Sequence, residues 1–417
     1  MKYTEKELKN IQFEANRCLY CYDAECIKGC PADINIPEFI KGIRENDLKR
    51  ASRLIYSENP FGAVCGEICP TDQLCRKNCV LNKMNRPINI PLLQRFAVEH
   101  GFEAGEPNYI GKKIAVIGGG PGGLAVAEFL ARKGMNITLF EQRRKLGGVL
   151  RDTLPAERLS DIAIEMDIEK IRENKLITIK KRKKLGKDIN LKKLMKEYDY
   201  AIIATGCSSR EIEVPGIGHK NVYFADKFLK EMRKKKKFRG GVGQHVVVIG
   251  GGDVAMDSAF QARKVANKVS IFYRRSRDEM PCSPEERRRA EDMGVTFNYL
   301  TGPKKISRNN KGELFITFSE NRLEKVKRGR PKPVEVEDTE YKVKCDKIVF
   351  AVGQQADNEM FKKNGIGIEN GLPEIGDDYQ TRIDNVFLVG DVVNGGGTVV
   401  EAVRIAKEVT EVIMDEI

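Results

Sequence analysis

From Lys112 onward, short apolar runs alternate with stretches of helical periodicity. The runs are Ile114 to Ile117, Ile137 to Phe140, Tyr200 to Ile203, Val246 to Ile249 and Val386 to Val389. This alternation predicts parallel α/β structure. Two runs enter glycines in the same way: Ile114-Ala-Val-Ile-Gly-Gly-Gly-Pro-Gly-Gly123 and Val246-Val-Val-Ile-Gly-Gly-Gly-Asp-Val-Ala255. One echo, occurring twice, predicts two nucleotide-binding folds rather than a solenoid. Between Lys304 and Tyr341 the chain turns polar with strand-like alternation, notably Leu314-Phe-Ile-Thr-Phe318, and predicts an antiparallel excursion.

Residues 1 to about 104 read differently. A helical pattern opens at Pro37, a favoured first helical residue, and carries Phe39, Ile40, Ile43, Ala51, Leu54 and Ile55. Gly105 to Gly111 (GEPNYIG) reads as a linker. No apolar run approaches the ~18–20 residues of a membrane span. The charged start lacks the apolar centre of a signal peptide, so a cytoplasmic protein without membrane contact is expected.

The 417 residues suggest two to four domains. The net charge of +13 concentrates locally at Lys180 to Lys184 (KKRKK) and Arg233 to Lys237 (RKKKK). No aromatic residues interleave with these runs, so solvated faces are expected and no nucleic acid partner. An acidic redox partner is their second use. The cysteines change the picture more. Of 11, eight lie between Cys18 and Cys79. That density, heading a long chain without a secretion signal, points to metal rather than disulfides.

Gly118, Gly120 and Gly123 form G-x-G-x-x-G directly after a strand. Such glycines permit a tight turn, close approach to a pyrophosphate and close helix packing, with the helix N-terminus facing the phosphates. The next strand ends in Glu141, placed to bind the ribose hydroxyls of an adenosine. In the second unit Gly250, Gly252 and Ala255 repeat the pattern, but Tyr273 stands where the acid would be. Arg274, Arg275 and Arg277 follow. Arginine pairs suit a phosphate, which favours NADPH with its 2′-phosphate over NADH. Asp253 opens the second nucleotide helix as a charge favourable to the helix dipole. His100, His219 and His245 are scattered without metal spacing and read as structural.

Tyr200-Ala-Ile-Ile-Ala-Thr-Gly206 is a strand ending in a small-residue turn. Asn385-Val-Phe-Leu-Val-Gly-Asp391 is another, followed by Gly395 to Gly397, Thr398 and a helix. The set of two glycine loops, Ala-Thr-Gly and Gly-Asp resembles the flavoproteins with two dinucleotide-binding domains. That resemblance implies FAD at the first loop, Asp391 on the ribityl chain, and a second nucleotide domain inserted into the first. Gly122, Gly148, Thr205, Gly206, Gly390, Thr398 and Val399 join the implied cofactor-binding positions. Disulfide reductases of this kind need a redox C-x-x-C beside the flavin. Cys207, Cys282 and Cys345 are isolated, so electrons must leave another way.

The eight early cysteines read Cys18-x2-Cys21-x4-Cys26-x3-Cys30-Pro31 and Cys65-x3-Cys69-Pro70-x4-Cys75-x3-Cys79. Such thiolates hold iron–sulfur clusters or, alternatively, zinc. With CPTDQLC (Cys69 to Cys75), PINIPLLQRF (Pro87 to Phe96), GGGDVAMD (Gly250 to Asp257) and AVGQ (Ala351 to Gln354), nearly the whole chain resembles one family. It is shared by the glutamate synthase small subunit, dihydropyrimidine dehydrogenase and electron-bifurcating transhydrogenase reductase subunits. The resemblance implies two [4Fe-4S] clusters with crossed ligands: Cys18, Cys21, Cys26 and Cys79 on one, Cys30, Cys69 and Cys75 on the other. For the fourth ligand of the second, spacing favours Cys65 and the resemblance favours Gln94. The family often reads G-I-P-x-x-R-L where this chain has Thr153-Leu-Pro-Ala-Glu-Arg-Leu159. Pro155, Arg158 and Leu159 are kept and the glycine is lost; Arg158 is a candidate flavin contact.

The expected architecture is a helical cluster domain (1–104), a discontinuous FAD domain (105–225 and 346–417) and an inserted NAD(P)H domain (226–345). The expected function is an NADPH-oxidising subunit, with NADH as the alternative nucleotide. It would pass electrons through FAD and two clusters to a larger or second catalytic subunit carrying FMN, as in glutamate synthase; a ferredoxin-like acceptor is the other partner class. The alternatives are the nucleotide-binding subunit of a bacterial dihydropyrimidine dehydrogenase and the reductase of a bifurcating transhydrogenase. Hydride chemistry belongs to the cofactors, so no catalytic acid or base is named.

Overall fold

The computed structural model describes residues 3–100, 109–234, 243–327 and 329–417. Most of the expected linker and the end of the second basic run, at 105–108 and 235–237, lie outside the described residues. The chain forms two compact units. One comprises Met1–Arg151, Ala156–Cys207 and Gln355–Ile417; the other comprises Asp152–Pro155 and Ser208–Gln354.

The first unit contains a five-stranded sheet in the order Val386–Leu388, Tyr200–Ile203, Lys113–Ile117, Asn136–Glu141, Ile177–Lys181, with every pairing parallel. Its central strands are buried along nearly their whole length, as continuous apolar runs between covered faces must be. Ala115, Ile117, Ala201, Ile203, Val386 and Leu388 build the core on one face. The helix Pro121–Arg132 follows the central strand and is joined by the C-terminal helix Val399–Asp415.

The first hundred residues are helical: Glu5–Asn16, Ile36–Arg44, Leu48–Glu58, Gly62–Ile68 and Ile90–Val98 are their main helices. The pattern that opens near Pro37 is two helices rather than one. Asn46 adopts φ +59°, and the Asp47 carboxylate accepts from Arg50 N at 3.0 Å to start the second helix. This helical layer does not stand apart from the first sheet's helices. Asp167, fully buried on the helix Asp161–Arg172, accepts from Tyr56 Oη (2.8 Å), Ala63 N (3.1 Å) and Val64 N (2.8 Å). Glu67 accepts from Ser160 N (2.7 Å) and Ser160 Oγ (2.8 Å).

In the second unit the parallel order is Val222–Phe224, Lys347–Phe350, His245–Ile249, Lys268–Phe272, Thr296–Asn298. This pairing moves the unit's limits from the expected 226 and 345. Val222–Phe224 and Lys347–Phe350 hydrogen-bond to each other, and the latter also to His245–Ile249, so both flanks belong to the second sheet. The antiparallel excursion is present: Leu314–Glu324 pairs with Thr301–Arg308, Lys332–Glu335 and Tyr341–Cys345. Phe318 stacks on Phe272 with centroids 4.0 Å apart, joining the excursion to the parallel sheet. Among the described residues no helix is long and apolar enough to cross a membrane.

Candidate functional site

Both glycine loops sit where a parallel strand hands over to a helix, and they are built alike. Gly118 has φ +119°, and a Cβ there would lie 2.2 Å from Ala204 O; Gly250 has φ +141°, with a Cβ 2.1 Å from Ala351 O. Only glycine fits either position. Ala351-Val-Gly353, noted in the sequence only as a family mark, therefore stands to the second loop as Ala204-Thr-Gly206 stands to the first. Gly120 and Gly252 are the N-caps of Pro121–Arg132 and Asp253–Arg263, and neither helix has a side-chain cap. Their first N–H groups are left for an anion.

Around the first loop the predicted positions converge. Gly122 packs on Val389 and Gly390, a Cβ at Gly148 would lie 3.0 Å from Gly120 Cα, and Gly147 N donates to Gly119 O at 2.7 Å. Buried Glu141 accepts from Gly119 N (2.8 Å) and Arg143 N (2.6 Å). The Thr205 hydroxyl is buried without a hydrogen-bond partner among the described residues. Asp391 accepts from Gly397 N at 3.2 Å, and burial raises its carboxyl above the usual carboxylate range. Cys207, beside Gly206, donates its thiol to Asp391 O at 3.2 Å, and burial pushes it up to about 12. Thr398 serves the helix instead, since with Glu401 it forms the capping box that starts Val399–Asp415. Arg158 is half-buried in the turn before Asp161–Arg172.

A Cβ at Gly123 would meet Gly118 O at 1.9 Å. Gly123→Ala is therefore expected to weaken flavin retention about tenfold or more, read as the flavin-to-protein absorbance ratio after gel filtration.

At the second loop the Tyr273 ring lies against Gly251, the space Glu141 takes beside Gly119, and its hydroxyl donates to Glu279 O at 2.8 Å. Asp253 is exposed in the helix's first turn, and Ala255 is buried behind it. Arg277 is paired with Glu291 at 3.7 Å. The sequence missed two cations here. Partial burial, Arg275, Arg210 and Arg330 all lower the proton affinity of Arg274. Arg210 and Arg330 belong to no motif, and strand pairing across the unit brings them in.

The eight early thiols fall into two groups. Cys18 and Cys26 each lie within electrostatic reach of Cys21 and Cys79. These four line one cavity, walled by Leu19, Ile40, Leu81 and Ile90 among others. Cys69 lies within reach of Cys65, Cys75 and Cys30. The groups cross: Cys30 of the first run joins the second, and Cys79 of the second joins the first. Burial pushes Cys26, Cys65 and Cys75 up to about 12, and raises Cys18, Cys30 and Cys69 as well. A metal centre must expel those protons on binding. Among the described residues no three His, Cys, Asp or Glu side chains form a group that could hold a single metal ion.

Gln94 is buried on Ile90–Val98, and its Nε2 donates to Gly62 O (2.7 Å) at the start of the helix carrying Cys65. That bond orients the amide, and Oε1 accepts from no group among the described residues. The histidines are engaged structurally: His100 with Phe96 O, His219 with Asn221 N, His245 with Lys344 O and Ser270 Oγ.

Two glycine-loop sheets, one interrupting the other, with a thiol-rich helical layer ahead of them, define a pyridine nucleotide oxidoreductase with an iron–sulfur segment. The family model for pyridine nucleotide-disulphide oxidoreductase matches residues 112–406, and that for dihydropyrimidine dehydrogenase domain II, 4Fe-4S cluster, matches residues 2–106. The chain belongs to the pyridine nucleotide-disulphide oxidoreductase family. It is 34% identical to the NAD-dependent dihydropyrimidine dehydrogenase subunit PreT of Escherichia coli O157:H7, covering 96% of this chain and 92% of that one. It is 30% identical to the glutamate synthase [NADPH] small chain of Escherichia coli K12, covering 96% and 90%. It is 33% identical to YgfK of Escherichia coli K12 over 99% of this chain, and spans 40% of that protein's length.

Proposed function

We propose that the protein is an NADPH-oxidising electron-transfer subunit carrying FAD and two [4Fe-4S] clusters. In this reading Gly118, Gly120, Gly122, Gly123, Gly148 and the uncapped helix at Pro121 hold the FAD pyrophosphate. Glu141 binds its ribose, and Thr205, Gly206, Gly390, Asp391 and Val399 surround the rest. Gly250, Gly252, Ala255, Arg274 and Arg275 hold NADPH. A flavin held there would supply hydride acceptance from a nicotinamide and one-electron release toward the clusters. The chain's own part is to bind, orient and shield.

The observation that carries the reading is the crossed grouping of the thiols. Cys18, Cys21, Cys26 and Cys79 ring one cavity, and Cys30, Cys69 and Cys75 form most of a second set. Gln94 is assigned as the fourth ligand of the second, because its oriented amide leaves an oxygen free and the family resemblance favours it. Anaerobic metal, sulfide and flavin analysis tests this: about eight iron and eight sulfide per chain are expected. Zinc without sulfide overturns it.

The arginines around Arg274 support NADPH, and so favour the glutamate synthase small-chain-like role over that of an NAD-dependent dihydropyrimidine dehydrogenase subunit. Arg274→Ala with Arg275→Ala should raise KM for NADPH about 100-fold and leave NADH within about twofold. Equal losses refute the 2′-phosphate assignment. In the same reading the electrons leave to an FMN-containing catalytic subunit. An anaerobic pull-down with flavin analysis identifies it: glutamine-dependent glutamate formation supports the synthase role, and uracil reduction replaces it with the pyrimidine one.

A further inference from the structure

Arg275, Arg210 and Arg330 of the second unit all lie within electrostatic reach of Arg274. Arg274 and Arg275 follow the strand Lys268–Phe272, and Arg210, through its backbone N–H, is bound to Gly353 O at 2.9 Å. Arg330 comes from the connection between Leu314–Glu324 and Lys332–Glu335. None of the four forms an ion pair among the described residues, whereas neighbouring Arg277 does. Like charges within electrostatic reach of one another repel unless an anion joins them.

The connection is strapped to the nucleotide loop's neighbour at two points, and the strand Leu314–Glu324 ahead of it at a third. Arg275 Nε donates to Pro331 O at 2.7 Å, Arg330 Nη1 to Glu279 O at 3.4 Å, and Asn321 Nδ2 to Arg274 O at 3.1 Å. The strapped segment begins at Tyr273, whose ring lies against Gly251 of the loop. The strap therefore ends beside the position where an acid would meet a ribose. Arg275 has its Nε committed to the strap, while the exposed Arg330 makes one long bond to a carbonyl.

We propose that Arg330 is a third arm of the anion site: with Arg274 and Arg275 it grips a dianionic phosphomonoester on the ribose, while the bond from Arg275 Nε to Pro331 O holds the strap that delivers it. The antiparallel excursion thus serves nucleotide choice. This rests on the reading of the second loop as an NADPH site.

The test is calorimetric binding of 2′,5′-ADP and 5′-ADP to the full-length protein, as wild type, Arg330→Ala and Arg330→Lys. Arg330 is exposed on a connection, so both variants should fold. Wild type should prefer 2′,5′-ADP strongly. Arg330→Ala should bind it about tenfold more weakly with 5′-ADP unchanged, and Arg330→Lys should recover part of the loss. A wild-type preference that Arg330→Ala leaves intact overturns the role of Arg330 alone. So does an equal loss for both probes, which would make the residue a scaffold. Equal wild-type affinity for the two probes overturns the NADPH reading itself.

Discussion

Gln94→Leu should cost the protein one of the two proposed clusters, and Cys65→Ser should leave both. Cys65 lies within electrostatic reach of Cys30 and Cys75, and Gln94 is bonded to the start of the helix that carries Cys65, so position alone does not choose between them. Chemistry does. The Gln94 amide is turned by its bond to Gly62 O, and its oxygen, a hard but neutral donor, accepts from no group among the described residues. The Cys65 thiol is fully enclosed, with the Asn59 side chain as its hydrogen-bond neighbour. Leucine keeps the volume of Gln94 and removes its lone pairs, so packing between Gly62–Ile68 and Ile90–Val98 should survive. Iron and sulfide should fall by about half in Gln94→Leu, with one of two reduced-cluster EPR signals gone. Cys65→Ser should match wild type in both. The reverse result transfers ligation to Cys65, and unchanged iron in both variants removes both as ligands.

The parts of this site that were legible in the sequence are those whose chemistry is local. A glycine loop needs its glycines at fixed offsets. The ribose acid follows one strand later, and each cysteine run keeps its spacing. Both glycine loops stand at strand-to-helix junctions and Glu141 accepts from Gly119 N, as such local spacing implies, and Tyr273 in place of an acid at the second loop was visible for the same reason. The helical break at Asn46-Asp47 was also local, an αL residue followed by an N-cap, yet apolar positions on both sides hid it. The rest depends on distant strand pairing. Arg210 and Arg330 sit in polar stretches with no motif, and only the second unit's register brings them to Arg274. The flanks Val222–Phe224 and Lys347–Phe350 lie just outside the limits expected for the inserted domain, yet their hydrogen bonds place them in the second sheet. Asp167 is the extreme case. Within DIAIEMDIEKIR it reads as one more surface charge, because its partners lie more than a hundred residues earlier.

Asp167→Asn is expected to loosen the helix that carries Cys65 and ends at Cys69. The carboxyl group receives two backbone N–H groups from the uncapped start of Gly62–Ile68 and the Tyr56 hydroxyl, so it acts as that helix's cap from another element. Asparagine offers one acceptor oxygen and turns an NH2 toward donors, leaving buried groups unpaired at a cost of about 3 kcal/mol. Lys170, close over the Tyr56 ring and itself lowered to about 8 by burial, cannot replace the lost acceptor. The pH dependence carries the sign. Burial raises Asp167 to about 7 from an unfolded value near 3.8, so between those values the folded state holds a proton the unfolded state has lost. That contribution is fully present below about pH 4 and is lost as pH rises through 7. The asparagine variant has no such slope, so between pH 5 and 8 its deficit against wild type should be largest at the acid end and shrink toward the alkaline one. Anaerobic thermal melts of both proteins across that range decide it: a melting-temperature gap on the order of 5 °C or more at pH 5, narrowing with pH, is expected. A gap that does not change with pH would mean that Asp167 is already ionised throughout. No gap at all would mean that the Cys65 helix is held without it.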